Sequence, residues 1–565
     1  MKKISRKNVI IIAISLIIVL IIVILLFVKN IIIVNKVEEK SIKNGGKVEY
    51  TVKDNKAIYE EDEDGVRKIY ITVAKDNKKN MGNLYRYRFH NFLTQNGKPE
   101  TKPKLNVQVE FDKPSPIMAG SDVNATIEPK GHATSRAAQK SYKIKLSKKA
   151  GKWKGQSVIN LNKCPYDLTR IRAKLAFDLI KTIPDIFSMR TEFFQVYVKD
   201  LAGGSNEFVD QGLYTQIEQP NESYIKNHGL AQEGYLYKAE FFEFNRYADR
   251  IKNVTDPAYD KVEFSKILKC RGIEDHTRLI KMLDDVNNYD LNIDDVINKH
   301  FNRENYLTWL AINILTGNRD TTSQNFLLFS PVTSDKWYFI PWDYDGAFGF
   351  ESQGDQKVEF APWQMEPLSN YWGVKLHKRF LSNPKNLKDL TQKVEEISKY
   401  MSKDKIESLV SKYYNETNAI IKSQPDIQFL PSTQENYEKE IKRLPSIVEE
   451  NKKKFYDSMN TPMPIFLGEP KVEGNEYRFN WDESFDFKGN SLTYNFTISK
   501  DPSFNNIVFK KDSIKSTFIN VPNLEGGKYY WKVEICDSNG RKQVAFDSCY
   551  DGDAKYYGVK ELEVK

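Results

Sequence analysis

The chain has 565 residues, of which 40% are hydrophobic, and its formal net charge is +9. This length exceeds one ordinary domain, so we expect two or three folded units. Lysine alternates with acidic residues along most of the chain, and only four cysteines and six scattered histidines occur, which argues against a nucleic-acid partner, zinc fingers and zinc hydrolase chemistry.

The N-terminus has the pattern of a membrane anchor. Residues 1–8 are basic, and residues 9–28 form an uncharged apolar run long enough to cross a bilayer. The run lacks the small-residue cleavage site and the shorter apolar core of a signal peptide. With the basic segment on the cytoplasmic side, the sequence predicts a single-pass membrane protein, N-terminus cytoplasmic, with the bulk of the chain extracytoplasmic.

The next segment, 29–103, is polar and contains strand-like pieces such as Val66–Val73. We expect it to form a stalk and then the first strands of a small lobe. Further along, Lys140–Leu146 alternates in polarity, so Lys143 faces away from the apolar side chains. Lys140 shares the parity of the apolar set, which leaves open which of the two lysines faces a cleft.

Two helices are predicted from apolar stripes at helical spacing. The first covers about 167–182, and its Arg170, Arg172 and Lys174 are expected to be surface charges. The second covers about 303–316 and leads directly into Asn318-Arg319-Asp320. A rigid helix at that place suits a catalytic loop.

The most informative segment follows that helix. Two short apolar runs, Phe326–Phe329 and Trp337–Ile340, predict a hairpin with Asp320 and Asn325 before it and Asp343 after it. Protein kinases present a catalytic Asp, a metal-binding Asn and a metal-binding Asp in this order, and oxygen ligands of this kind suit Mg²⁺. The Asp-x4-Asn pattern alone also fits an ordinary surface turn, and a contribution from Asp345 is left open.

The C-terminal third divides in two. Residues 383–458 have a helical, lysine-rich pattern that ends near two prolines, which mark a domain boundary. Residues 464–565 alternate in strands separated by turns, which predicts a β-sandwich. Its sequence resembles a fibronectin type III domain, and in an extracytoplasmic setting Cys536 and Cys549 could form a disulfide.

Five segments in order carry a family resemblance, and they are Lys130–Arg136, Lys140–Leu146, Asp167–Leu179, Gln211–Gln219 and Asn318–Gly349. They resemble the CotH kinase family, the spore-coat protein H type of atypical protein kinase. The similarity covers about 104–400 and implies an α+β, two-lobed, atypical protein-kinase-like domain at 104–460 that uses ATP and Mg²⁺ or Mn²⁺.

The resemblance also implies roles for individual residues. Asp320 is the expected catalytic residue, and Asn325 and Asp343 are the expected metal ligands. The sequence departs from the family pattern at two places, because Lys130 stands where the family usually has Arg and His132 where it usually has Asn. The residues expected to contact the nucleotide are Arg136, Lys140, Lys143 and Glu218, the last of which could instead make a structural hydrogen bond.

The resulting functional prediction is a membrane-anchored atypical protein kinase. It would transfer the γ-phosphate of ATP to hydroxyl side chains of a protein substrate, such as a spore coat or envelope protein. The alternative is a catalytically inactive protein that uses the kinase fold for surface binding or structural assembly. The metal-binding constellation favours the kinase, because a scaffold has no need to cluster carboxylates at one point.

Overall fold

A computed structural model describes residues 52–61, 64–87, 101–113, 122–231, 233–355 and 359–564. These residues form a mixed α+β structure, as predicted. The order of elements is a β-rich part, a mainly helical part that contains the hairpin, and a C-terminal part made of strands.

The β-rich part is a closed barrel of seven strands in the order β1-β2-β3-β4-β5-β7-β6. Neighbouring strands are antiparallel except β1 and β6, which are parallel. Alternate residues point inward, so Ile69, Ile71 and Val73 of β1 belong to the barrel core. The strands are β1 (Val66–Val73), β2 (Leu105–Phe111), β3 (Ala125–Lys130), β4 (Ser141–Leu146), β5 (Val158–Asn162), β6 (Thr191–Asp200) and β7 (Val209–Glu218), with helices α1 (Met81–Arg86) after β1 and α2 (Arg172–Ile180) after β5.

The helical part surrounds a small sheet in the order β11-β10-β8-β9. This sheet contains the predicted hairpin, and it carries the candidate site at one end. The elements are α3 (Glu222–Asn227), β8 (Gly234–Ala239), α4 (Lys261–Ser265), β9 (Leu268–Cys270), α5 (Thr277–Asn287), α6 (Ile293–His300), α7 (Arg303–Thr316), β10 (Phe326–Pro331), β11 (Tyr338–Pro341), α8 (Pro367–Trp372), α9 (Lys375–Leu381), α10 (Pro384–Tyr400), α11 (Lys403–Ile421), α12 (Gln434–Arg443) and α13 (Ile447–Ser458).

The C-terminal part has a three-stranded sheet, β12-β13-β16, and a five-stranded sheet in which β17 is central. The two sheets share one core, where the rings of Phe479 and Trp531 lie 5.0 Å apart. The strands are β12 (Lys471–Glu473), β13 (Glu476–Asn480), β14 (Leu492–Ser499), β15 (Ile507–Ile514), β16 (Phe518–Pro522), β17 (Gly527–Asp537), β18 (Lys542–Val544), β19 (Ser548–Asp551), β20 (Ala554–Tyr557) and β21 (Val559–Val564).

The C-terminal part packs against the segment that follows the hairpin. The rings of Phe546 and Trp363 lie 4.9 Å apart, and Gln543 Nε2 donates to Glu366 Oε2 at 3.0 Å. The rings of Trp372 and Phe485 stack at 5.2 Å. These contacts include both apolar and polar side chains, so this part is fixed to the rest of the chain over an extended surface.

Three expectations about the chain require correction or qualification. Of the helices that the structure describes, none is long and apolar enough to cross a membrane, and the run 9–28 lies outside the described residues. The transmembrane helix and the single-pass localisation are therefore withdrawn. Cys536 and Cys549 are both free thiols, so the expected disulfide is absent.

The third correction concerns α2, which is shorter than predicted and lies inside the protein. Its described bounds are Arg172–Ile180, and every residue of the helix is buried. Arg170, Arg172 and Lys174 are not surface charges, because acidic and carbonyl partners, some of them from distant parts of the chain, surround them. Burial of a charge is tolerated where such partners compensate for lost hydration.

A buried ion pair joins the barrel to the helical part. Lys163 Nζ lies 2.6 Å from Asp426 Oδ1, and both side chains are 0% exposed. The same carboxylate accepts hydrogen bonds from Gln139 Nε2 at 3.0 Å and from the backbone N–H of Leu213 at 2.7 Å. Asp426 follows α11, whereas its partners belong to the barrel or its connections.

We expect Asp426→Ala to lower the free energy of unfolding by about 3–5 kcal/mol, because it leaves the Lys163 ammonium buried without a counter-charge. Urea unfolding followed by tryptophan fluorescence would measure this loss. Asp290→Ala is the matched control, since Asp290 is exposed and its replacement should change stability by at most about 0.5 kcal/mol. Equal effects of the two substitutions would contradict the role assigned to the pair.

Candidate active site

The candidate site lies where α7 ends and the hairpin begins. Helix α7 ends at Thr316 and is capped by Gly317, which has the left-handed φ of 64° that glycine adopts without strain. Strands β10 and β11 pair so that Phe326 faces Pro341, which brings the residues before β10 close to those after β11. Asn318 Nδ2 donates to the carbonyl of Asp343 at 3.2 Å and holds the two segments together.

Asp320 is the acidic residue at the entrance of this site. Its carboxylate accepts a hydrogen bond from Asn325 Nδ2 at 2.8 Å and a second from Gln324 Nε2. One side of the side chain is exposed to solvent, and protein atoms surround and partly bury the rest of it. This burial raises the pKa of Asp320 to about 6, with the Gln324 hydrogen bond opposing the shift and the charge of Asp343 adding to it.

Asp343 and Asp345 lie deeper in the same site and are both partly buried. Burial, together with the charges of Asp343 and Asp167, raises the pKa of the Asp345 carboxyl to about 8. A group shifted in this way binds its proton at neutral pH and would release the proton to solvent when a cation binds beside it. The site therefore concentrates acidic oxygen ligands that lack sufficient positive charge from the protein.

Lys130 supplies the positive charge that faces these carboxylates. It ends β3, is half-buried, and donates from Nζ to Asn162 Oδ1 at 2.7 Å. The ammonium lies 5.2 Å from the ring centroid of Trp342. Burial lowers the pKa of Lys130, whereas the charges of Asp343 and Asp345 act in the opposite direction, so the ammonium lies within electrostatic range of both carboxylates.

The backbone of the site is strained at two of the predicted metal ligands. Asn325 has a φ of 58° and Asp343 a φ of 64°, values in the left-handed region that residues other than glycine adopt at an energetic cost, which is smallest for Asn and Asp. Such strain persists only where the surrounding structure enforces it, and it concentrates at functional sites. Here the enforcing elements are the hairpin and the Asn318 hydrogen bond.

The residues present fit a magnesium ion that is shared with a phosphate ligand. Within the described residues, no three acidic, histidine or cysteine side chains converge closely enough to bind a metal on their own. Mg²⁺ in nucleotide sites commonly takes only one or two carboxylates and completes its shell with phosphates and water. Asn325 and Asp343 could supply the amide and carboxylate oxygens, with Asp345 as a further carboxylate.

The predicted nucleotide-binding residues on the barrel are not all in this site. Lys140 is buried and its ammonium donates to the carbonyls of Ser135 and Ala137, so it holds the turn after β3. Lys143 pairs with Glu128 across neighbouring strands at 3.1 Å. Arg136 is exposed at the end of the same turn. None of these contacts joins the acidic cluster.

Sequence reasoning missed Lys130 as a candidate ligand. The sequence signal was present, since Lys130 is the last residue of a strand and precedes Gly131 in the segment that departs from the family pattern. The choice between Lys140 and Lys143 rested on strand parity. Parity identifies the side of a strand but not which end of the strand lies beside the cleft.

Glu218 makes structural hydrogen bonds, which is the alternative to nucleotide binding that the sequence left open for it. Its carboxylate is 1% exposed and accepts from Arg190 Nη2 at 2.6 Å. His228 lies between Glu218 and Asp54, at 2.9 Å and 2.8 Å from their carboxylate oxygens. Burial acts to raise the pKa of Glu218, but the hydrogen bonds and charges of His228 and Arg190 outweigh it and lower that pKa to about 2.

The same network raises the pKa of His228 above its ordinary value of 6.5, because its two carboxylate partners outweigh the effect of burial. The folded state therefore binds the imidazole proton more tightly than the unfolded state does. This contribution to stability is complete below about pH 6.5 and disappears as the pH rises through the folded-state pKa.

We accordingly expect the stability advantage of the wild type over His228→Gln to decrease as the pH rises above 6.5, the ordinary pKa of histidine. Urea unfolding of both proteins at a series of pH values on either side of 6.5 would measure the difference. An advantage that grows with pH would show that His228 is held in its neutral form instead.

Comparison with known proteins shows one family match and several more distant similarities. The CotH kinase protein family matches residues 127–455, which is more than half of the chain and contains the whole candidate site. The chain is 27% identical over 209 residues to the inner spore coat protein H of Bacillus subtilis (strain 168), covering 36% of this chain and 53% of that protein. The chain thus spans about half the length of this relative.

Two solved structures are similar at 12% sequence identity. One is a Helicobacter pylori proinflammatory kinase, CtkA, with a TM-score of 0.25 over 55% of this chain and 90% of that chain. The other is the Shewanella oneidensis MR-1 toxin–antitoxin complex of HipA, HipB and operator DNA, with a TM-score of 0.20 over 53% and 58%. The family match ends before the C-terminal strands, whose resemblance to fibronectin type III stays a prediction.

Proposed function

The chain belongs to the CotH kinase protein family, and we propose that it is a protein kinase that transfers the γ-phosphate of ATP to a side-chain hydroxyl of a protein substrate. The observation that carries this proposal is the convergence of Asp320, Asn325 and Asp343 at the base of the hairpin, with Lys130 within electrostatic range of Asp343 and Asp345. Phosphoryl transfer requires little covalent chemistry from the protein, so positioned charges of this kind can account for most of the catalysis.

Asp320 is the proposed catalytic residue. Its position at the open side of the site lets an acceptor hydroxyl approach its carboxylate, which can orient the hydroxyl and take its proton. The amides of Gln324 and Asn325 hold the carboxylate in place. A pKa of about 6 leaves most of the group ionised at neutral pH while keeping it basic enough to accept a proton.

Asn325 and Asp343 are the proposed ligands of a divalent cation, Mg²⁺ or Mn²⁺, with Asp345 beside them. When bound, the cation would neutralise the negative charge of the nucleotide phosphates. Lys130 is placed to pair with a phosphate oxygen, because its ammonium already faces the carboxylates that would hold the cation. Lys140 and Glu218 stabilise the fold around the site, because their polar atoms bind other parts of the protein.

The substrate is proposed to be a protein of a spore coat or envelope. This inference rests on the name of the similar Bacillus subtilis protein, inner spore coat protein H, and on family membership. The alternative is a kinase-fold protein that binds such a partner without phosphorylating it. The two differ in one measurable property, the transfer of phosphate from ATP.

The central test measures transfer of labelled γ-phosphate from ATP, with divalent cation, by the full chain to itself and to a generic protein substrate. Asp320→Ala should reduce transfer by about 10²–10⁴-fold, the usual contribution of a general base, while leaving nucleotide binding intact. Asp343→Asn should abolish cation-dependent nucleotide binding without unfolding the protein, because Asp343 is only partly buried.

Asp335→Asn is the matched control, because Asp335 lies in the turn of the same hairpin and its side chain is 81% exposed. It should transfer phosphate at the wild-type rate. Absence of transfer by the wild type, together with absence of a thermal shift with ATP and Mg²⁺, would establish the non-catalytic alternative.

A separate test decides whether Lys130 or Lys143 contacts the nucleotide. Lys130→Met should weaken binding of Mg²⁺–ATP by about 10–100-fold, the equivalent of one lost charge-assisted hydrogen bond of about 1.5–3 kcal/mol. Lys143→Met is the matched control, since Lys143 lies on the next strand and pairs with Glu128. Isothermal titration calorimetry would measure both. Loss of binding in Lys143→Met and not in Lys130→Met would reverse the assignment.

A further inference from the structure

A lysine that the proposed function does not use lies beside the candidate site, on the strand next to the hairpin. Lys238 is the last residue but one of β8, and it pairs across the sheet with Leu327 of β10. Because Leu327 is the second residue of β10, this pairing brings the end of β8 alongside the start of the hairpin. The backbone N–H of Phe242, beyond the end of β8, donates to the carbonyl of Ser323 at 2.6 Å and fixes this arrangement.

The ammonium of Lys238 shares one carboxylate with a second lysine. Lys238 and Lys269 of β9 are directly opposite each other across the sheet, and like charges in this arrangement destabilise a sheet. Glu240 Oε1 lies 2.7 Å from Nζ of Lys238 and 3.1 Å from Nζ of Lys269. Among the residues that the structure describes, Glu240 is the only hydrogen-bond acceptor of the Lys238 ammonium, which has three donor hydrogens. The side chain is 22% exposed, so a ligand can reach the remaining donors.

The charge of Lys238 acts on both the catalytic aspartate and the lysine of the barrel. Burial raises the pKa of Asp320, and the charge of Lys238 is one of the effects that oppose this rise. Burial lowers the pKa of Lys130, and the charge of Lys238 adds to that lowering. The two oxygens of Asp320 accept hydrogen bonds from the amides of Gln324 and Asn325, so these amides hold the carboxylate. Two ammonium groups thus approach the site from the barrel and from the helical part, and an anion between them would relieve their repulsion.

We propose that Lys238 is a further catalytic residue, whose ammonium binds the γ-phosphate of ATP, the group that is transferred. This inference rests on the proposed function and divides the nucleotide phosphates between two lysines. Lys130 lies within electrostatic range of Asp343 and Asp345, so it contacts the phosphates that share the cation. Lys238 lies within the same kind of range of Asp320, so it contacts the phosphate next to the acceptor hydroxyl.

The reaction explains why a cation is needed at that place. A bond forms between the acceptor oxygen and the γ-phosphorus, and the bond from the γ-phosphorus to the oxygen that bridges it to the β-phosphate breaks. The electron pair of the broken bond stays on ADP, and the proton of the acceptor hydroxyl goes to the Asp320 carboxylate. Negative charge is spread over the γ-phosphoryl oxygens during transfer. An ammonium that Glu240 already positions beside them stabilises this charge without reorganisation.

The test compares the binding of two nucleotides to the full chain by isothermal titration calorimetry with Mg²⁺. The nucleotides are ADP and the non-hydrolysable β,γ-imido analogue of ATP, which differ in the γ-phosphate. Lys238→Met should weaken binding of the analogue by about 10–100-fold, the equivalent of one charge-assisted hydrogen bond, and leave ADP binding unchanged. Lys266→Met is the matched control, because Lys266 also pairs with one glutamate, Glu263, but is exposed just after α4. It should bind both nucleotides as the wild type does.

Transfer of labelled phosphate provides a second measurement. Lys238→Met should lower kcat by about 10²–10³-fold, the usual loss when one group that stabilises developing charge is removed. Lys238→Gln keeps a hydrogen-bond donor for Glu240 and loses the charge, so it should show the same defects if the methionine disturbs the fold. Retained ADP binding shows that a variant is folded.

The outcomes separate this inference from the proposed function. Equal weakening of both nucleotides, unchanged binding of the analogue, or transfer at the wild-type rate in folded Lys238 variants would each overturn the role of Lys238 while the kinase assignment stands. A wild type that binds nucleotide without transferring phosphate would contradict the kinase assignment, and selective loss of the analogue in Lys238→Met would still support the γ-phosphate contact. A folded wild type that binds neither nucleotide would overturn both.

Discussion

The buried guanidinium of Arg172 is the interaction on which the arrangement of the helical part depends. It pairs with Asp167 and Glu440, and its Nη1 also donates to Gln353 Oε1 at 3.0 Å. The side chain is 0% exposed, so removal of one charged partner would leave a buried charge without hydration, at a cost of several kcal/mol. Residues before α2, after the hairpin and within α12 must therefore assemble together around a single cation.

This requirement also determines the geometry of the candidate site. Phe348 and Gln353, two of the groups that contact Arg172, follow directly on the Asp343–Asp345 segment. On the other side of the site, Arg319 pairs with Glu351 at 2.6 Å and so joins the residue before Asp320 to the same segment. The carboxylates remain close to one another, despite their repulsion, because these ion pairs fix the backbone on both sides of them.

Much of the site could be predicted from the sequence because its signals are local. The hairpin, helix α7 and the order of Asp320, Asn325 and Asp343 follow from short-range periodicity and spacing. The charged residues were harder to place, since their partners are distant along the chain. Arg172 meets Glu440, 268 positions away, and this long-range partner explains why it is buried when a helical pattern alone indicates a surface charge. For the same reason, Glu218 could not be recognised as structural, because its partner Arg190 lies 28 positions away. Lys140 instead binds carbonyls within its own turn, and Lys130 was missed because strand parity does not show which end of a strand lies beside the cleft.

The extended packing of the C-terminal sheets has a mechanical consequence. Domains joined only by a flexible linker reorient freely and act on one another through their local concentration. Here Phe546 and Gln543 contact Trp363 and Glu366, on the stretch of chain that leads away from the carboxylates. A macromolecule bound to the outer face of these sheets would thus be held at a fixed angle and distance from the cleft. Only those segments of the macromolecule that extend as far as the cleft would contact Asp320.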